Sequence, residues 1–131
     1  MTDLYVIWIL FAISDGIEEA KVFEWKGQHV EWPKEMHNYF TYQRIVVGAA
    51  LIFLAFQRGF AGIELIGFGF SLMAAFPFWH DGSYYQKRRM LDVPHYHFFS
   101  QSTTTNAVFS ANAWVRSVLF LISLIIHIWS L

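Results

Sequence analysis

The stretch Phe60–Trp79, "FAGIELIGFGFSLMAAFPFW", holds one charged residue, Glu64, in twenty. A helix rises about 1.5 Å per residue, so this length covers a bilayer hydrocarbon core of about 30 Å. Two further runs read the same way. "IVVGAALIFLAF", Ile45–Phe56, extends with its flanks to about Tyr39–Arg58. "SVLFLISLIIHIWSL", Ser117–Leu131, continues a helix that starts near Asn112. Gln57-Arg58-Gly59 leaves only a tight turn between the second and third helices, which predicts an antiparallel hairpin.

The first segment is different. Leu4–Ile13 gives only ten apolar residues, too few to cross alone. Continued through "SDGIEEAKVFEW" to Trp25 it is long enough, but it then carries Asp15, Glu18 and Glu19. At about 100° per residue these acids fall on one side with Trp8, Phe11 and Val22. A polar stripe on an apolar helix suits a spanning segment whose acids face protein. The expected fold is an all-α, polytopic four-helix membrane bundle forming one domain, with helices at about 3–25, 39–58, 60–85 and 112–131.

Composition agrees: 56% of residues are apolar, 20% aromatic and 15% charged. A net charge of −1 offers no basic face for nucleic acid. The absence of cysteine excludes thiol catalysis, disulfides and iron–sulfur or zinc–thiolate sites. The opening "MTDLYVIWILFAISDG" lacks the basic flank of a secretion signal and reads as mature sequence.

Four spans place Lys21, Lys26, Lys34, Arg44, Lys87, Arg88, Arg89 and Arg116 on one side and only Arg58 on the other. Positive charge collects on the cytoplasmic side, so both termini are expected outside it. The location implied is a bacterial inner membrane or its equivalent. Trp25, Trp32, Trp79, Trp114 and Trp129 fall near the expected interfaces.

That orientation gathers ionisable residues from all four helices at the cytoplasmic end: Asp15, Glu18, Glu19, Arg44, His80, Asp81 and Arg116. The adjoining loops add His29, His37, Asp92, His95 and His97. Three chemistries fit. The acids can simply neutralise Arg44 and Arg116 and pin the helix ends together. His80, His95 and His97 with Asp81, Asp92 and Glu18 or Glu19 can bind a divalent metal such as zinc, iron or manganese. Alternatively, His80, Asp81, Asp15, Glu18 and Glu19 can supply acid–base catalysis, with Arg44, Arg88, Arg89, Arg116 and Tyr84 holding an anionic substrate. The bases at 87–89 also serve as an ordinary topology signal or a contact for anionic lipid.

Pro77 either kinks the third helix, swinging His80-Asp81 over the bundle, or marks its end. At the outer end, Glu64 and His127 lie at similar depth and are expected to pair. Asn112, Arg116, Ser123 and His127 share one face of the last helix. Small residues at Gly48, Ala55, Gly67, Ser71 and Ala75 let helices approach closely.

Three functions follow as expectations. One is a membrane enzyme, with or without a metal, acting on a lipid-like or phosphate-bearing substrate. The others are a proton, ion or small-solute transport oligomer, and an accessory subunit of a membrane complex. Membrane lipid is the expected partner, with a homo-oligomer or a complex subunit as the alternatives.

Overall fold

The computed structural model describes residues 1–25, 34–100 and 112–130; the side chains of 23–25 and 34–37 are not among them. His29, Lys26, Trp32 and the "QSTTTNA" stretch lie outside the described residues, as do the side chains of Trp25, Lys34 and His37. The described residues form four helices: α1 (Thr2–Trp25), α2 (Lys34–Gln57), α3 (Ile63–Leu91) and α4 (Ala113–Trp129). Two of them contain segments long and apolar enough to cross a membrane, Asn38–Gln57 and Ile63–Leu91; α4 is a shorter apolar helix.

The hub is α3. Helices α1 and α4 pack along it, and α2 leans more lightly on α1 and α3. Its small residues explain the position, since Gly67, Ser71, Ala75, Gly82 and Ser83 are all buried. The α1 contact face repeats at helical spacing through Leu4, Trp8, Ala12, Asp15 and Ala20. Trp8 also ties the two helices directly, its Nε1 donating to the Leu72 carbonyl at 2.6 Å.

A Schellman motif closes the α2–α3 hairpin. Gly59 (φ 91°) takes the left-handed position, its N–H bonds to the Phe56 carbonyl, and Phe60 N–H reaches back to Ala55. At the other end α3 runs through Pro77 without a break and stops only at Leu91, six residues beyond the expected 85. Pro77 therefore does not end the helix. After it, residues 92–100 fold back on the α3–α4 pair, with the Phe98 ring against Gly82 and 5.2 Å from that of Phe78.

Polarity is distributed inside-out. Asp15, Ser71, His80, Ser83, Arg88, Arg116, Ser123 and His127 are buried, whereas Val6, Ile7, Leu10, Ile45, Val46, Phe53, Phe70, Ile125 and Ile128 are exposed. The only buried residues of α4 are Arg116, Ser123 and His127. Asn112 is not part of that face; it caps the helix, accepting from Val115 N–H at 2.9 Å.

Candidate functional site

Asp15 and Glu19 stand one turn apart on α1 and so share a face. Between them in sequence, Gly16 lies against the His80 backbone of α3, where a side chain would overlap the carbonyl. That close approach delivers both carboxylates to the His80 ring. Nε2 is 2.8 Å from Glu19 Oε2 and 3.4 Å from Asp15 Oδ2, while Nδ1 is 2.9 Å from Asp81 Oδ1. The imidazole is further fixed by stacking on Phe76, with centroids 4.9 Å apart. Ser83, one turn on, donates its hydroxyl to the Ile13 and His80 carbonyls, locking α3 to α1.

Arg44 reaches the same point from α2. Its Nε donates to Asp15 Oδ2 at 2.7 Å and its Nη2 to Glu19 Oε2 at 2.8 Å. The guanidinium carbon lies 5.0 Å from the Phe76 ring centre, within cation–π range. Nη2 also sits 3.0 Å from His80 Nε2. Three helices thus converge on a few ångströms, with Asp15 buried completely and Arg44 about a quarter exposed.

Asp81 extends the group to α4, where its Oδ2 lies 3.9 Å from Arg116 Nη1. Arg116 is buried and donates from Nη2 to the carbonyls of Ser100 (2.9 Å) and Phe98 (3.4 Å). This arginine therefore ties the returning 92–100 segment to the His80-Asp81 end of α3.

The other candidates are placed elsewhere. Glu18 is exposed on the neighbouring face of α1, beside a shallow groove lined by Ser14, Ile17 and Lys21. Arg88 is buried and chelates Asp92 through two bonds of 2.8 and 2.7 Å, with the Tyr84 hydroxyl 3.1 Å from Nη1. Arg89 is exposed. So are His95, whose ring packs on Tyr96, and His97, whose Nδ1 accepts from Phe99 N–H. Neither joins His80. Among the described residues, the group that could hold a metal ion is Asp15, Glu19 and His80, whose ligand atoms lie within 4.8 Å of one another. Of the expected partners of His80, Glu19 stands beside it and Asp15 joins the group, whereas Glu18, His95 and His97 do not reach it.

The outer pair does not form. Glu64 is exposed and accepts from the Ala61 N–H of its own helix start. Arg58 pairs with Asp3 at 2.5 Å. His127 instead stacks on Tyr5, with centroids 4.3 Å apart, and neither of its ring nitrogens has a hydrogen bond among the described residues. Tyr5 meets Ser123 at 2.5 Å, and the Ser123 hydroxyl donates to the Ser71 carbonyl at 2.7 Å. Sequence reasoning missed Tyr5 and Asp3. The signal for Tyr5 was its place beside Leu4 on the stripe that continues through Trp8 and Ala12.

No known protein family, curated protein or solved structure matches this chain.

Proposed function

We propose that this chain is a membrane enzyme of four spanning helices. His80 performs acid–base chemistry on a lipid-like or phosphate-bearing substrate at the cytoplasmic interface. The membrane part is supported by the apolar exterior around a polar interior, the reverse of a water-soluble bundle. Trp114 and Trp129, exposed at the two ends of α4, sit where interfacial tryptophans belong.

One observation carries the catalytic part: both ring nitrogens of His80 face carboxylate oxygens. Asp81 orients the ring through Nδ1, and Nε2 exchanges a proton with Glu19 or with a substrate that takes its place. Arg44 neutralises charge on the same side. Lys87 and Arg89, about two to two and a half turns further along α3, attract a phosphate-bearing headgroup. The test is incubation of purified protein in nanodiscs of mixed zwitterionic and anionic phospholipid, followed by mass spectrometry of the lipids. The wild type is expected to change a lipid species that His80→Asn leaves intact; identical lipid profiles count against the reading.

A second reading, a proton route across the bundle, draws on Tyr5, Ser123, Ser71 and His127, which place buried polar atoms in the other half of the molecule. Proteoliposome proton flux that requires both His80 and His127 favours it over the enzyme.

A further inference from the structure

We propose that Asp15, Glu19 and His80 form a divalent transition-metal site, and that Arg44 is its built-in competitor. The guanidinium holds the donor atoms in the metal-free protein and leaves them when the metal enters. The inference rests on the same residues as the proposed function and changes the role of His80: with Nε2 on a metal, the ion and not the imidazole would activate the reacting group, and metal binding is read without turnover.

The donor set is two carboxylates and one imidazole, which zinc, manganese and ferrous iron accept. Spacing is the second argument. Metal–ligand bonds of about 2.0–2.2 Å put neighbouring ligand atoms about 3 Å apart in an octahedron and about 3.4 Å in a tetrahedron. Here His80 Nε2 lies 2.8 Å from Glu19 Oε2 and 3.4 Å from Asp15 Oδ2.

The hydrogen-bond pattern supplies the third. His80 Nε2 faces a carboxylate oxygen at 2.8 Å and an arginine Nη2 at 3.0 Å. With a proton on Nε2, two donors confront each other; without one, a lone pair confronts the carboxylate. A divalent ion bound to both Nε2 and Glu19 satisfies the two at once. Independently, Asp15 Oδ1 is buried with no hydrogen bond among the described residues, so the carboxylate whose Oδ2 faces His80 keeps an unsatisfied acceptor.

Charge and packing explain why Arg44 can yield. Asp81 on Nδ1 has Arg116 as its own counter-charge at 3.9 Å, so Asp15, Glu19, a neutral imidazole and a divalent ion sum to zero and the Arg44 guanidinium becomes surplus when the metal arrives. It belongs to α2, the helix that packs most lightly, and its side chain is already about a quarter exposed.

The experiment is titration of chelator-stripped wild-type protein in detergent with Co²⁺ and Zn²⁺, read by visible d–d absorption and calorimetry. One ion per chain is expected. Asp15→Asn and His80→Ala lower the affinity about a hundredfold or more, while Glu18→Gln and His97→Ala leave it unchanged. Arg44→Gln and Arg44→Met each bind about tenfold tighter, because the competent state no longer has to be freed first. No stoichiometric Co²⁺ or Zn²⁺ in folded wild type overturns the site, as does binding indifferent to His80→Ala. Binding no tighter in the folded Arg44 variants overturns the competition. Lipid turnover lost in His80→Asn while the wild type takes no metal would remove the metal site and keep the acid–base enzyme. Stoichiometric metal with no turnover would do the reverse.

Discussion

Gly16 of α1 rests on the backbone carbonyl of His80 in α3, so closely that no side chain fits between them. Gly16→Ala is expected to force the two helices apart, at or above the usual overpacking cost of about 1–3 kcal/mol. Denaturant or thermal unfolding in detergent reads the loss. Adding Ser83→Ala removes a hydroxyl that crowds the same spot but leaves the carbonyl in place. The double variant should therefore stay destabilised; full recovery would show that the obstacle is a movable side chain.

Arg116 and Arg89 should separate cleanly. The first is buried and holds two backbone carbonyls and a distant carboxylate. Arg116→Met is expected to cost about 2–4 kcal/mol and to open the 92–100 segment to protease, since it leaves those acceptors unpaired. Arg89 is exposed, so Arg89→Ala should change stability by no more than about 0.5 kcal/mol. Equal losses from the two would contradict the placement of Arg116.

Tyr5 and Ser123 make a measurable pair across α1 and α4. A double-mutant cycle on Tyr5→Phe and Ser123→Ala is expected to give a coupling of about 0.5–1.5 kcal/mol, the range for one hydrogen bond between packed helices. Additive losses would mean that the hydroxyls do not share a bond.

His127 offers the opposite test. Its ring stacks on Tyr5, yet neither nitrogen is hydrogen-bonded among the described residues. His127→Phe keeps the stack and removes two buried polar atoms, so stability should hold or rise. Paired with Glu64→Gln it should show no coupling, because Glu64 is exposed and bonded within its own helix start. A coupling above about 0.5 kcal/mol would restore the Glu64–His127 contact.

The sequence carried depth better than it carried direction. Hydropathy and charge identified four helices and gathered Asp15, Glu19, Arg44, His80 and Asp81 at one end, because both follow from position along a helix. Choosing Glu19 over Glu18 is a matter of about 100° of rotation. What decides it is the point where Gly16 meets α3, a tertiary contact. Glu64 and His127 fell to the same limit: similar depth does not make two residues face each other. His95 and His97 lie outside any helix, on a path set by Phe98 at Gly82 and by the Arg116 grip on two carbonyls. No local pattern announces either constraint. Pro77 could mark a kink or an end, and the helix continues through it because a single missing N–H is tolerated where neighbouring helices hold the chain.

The length of α3 has one more consequence. From Ile63 to His80 the helix climbs about 26 Å, and eleven further residues carry it to Leu91. In the proposed membrane setting, His80 then stands close to the boundary where hydrocarbon of about 30 Å gives way to headgroups. Acyl chains a few carbons longer would submerge the imidazole and its carboxylates, and shorter ones would leave them wetted. Lipid thickness thereby becomes a dial on the charge state and accessibility of the centre, set by the host bilayer and not by any residue in the chain.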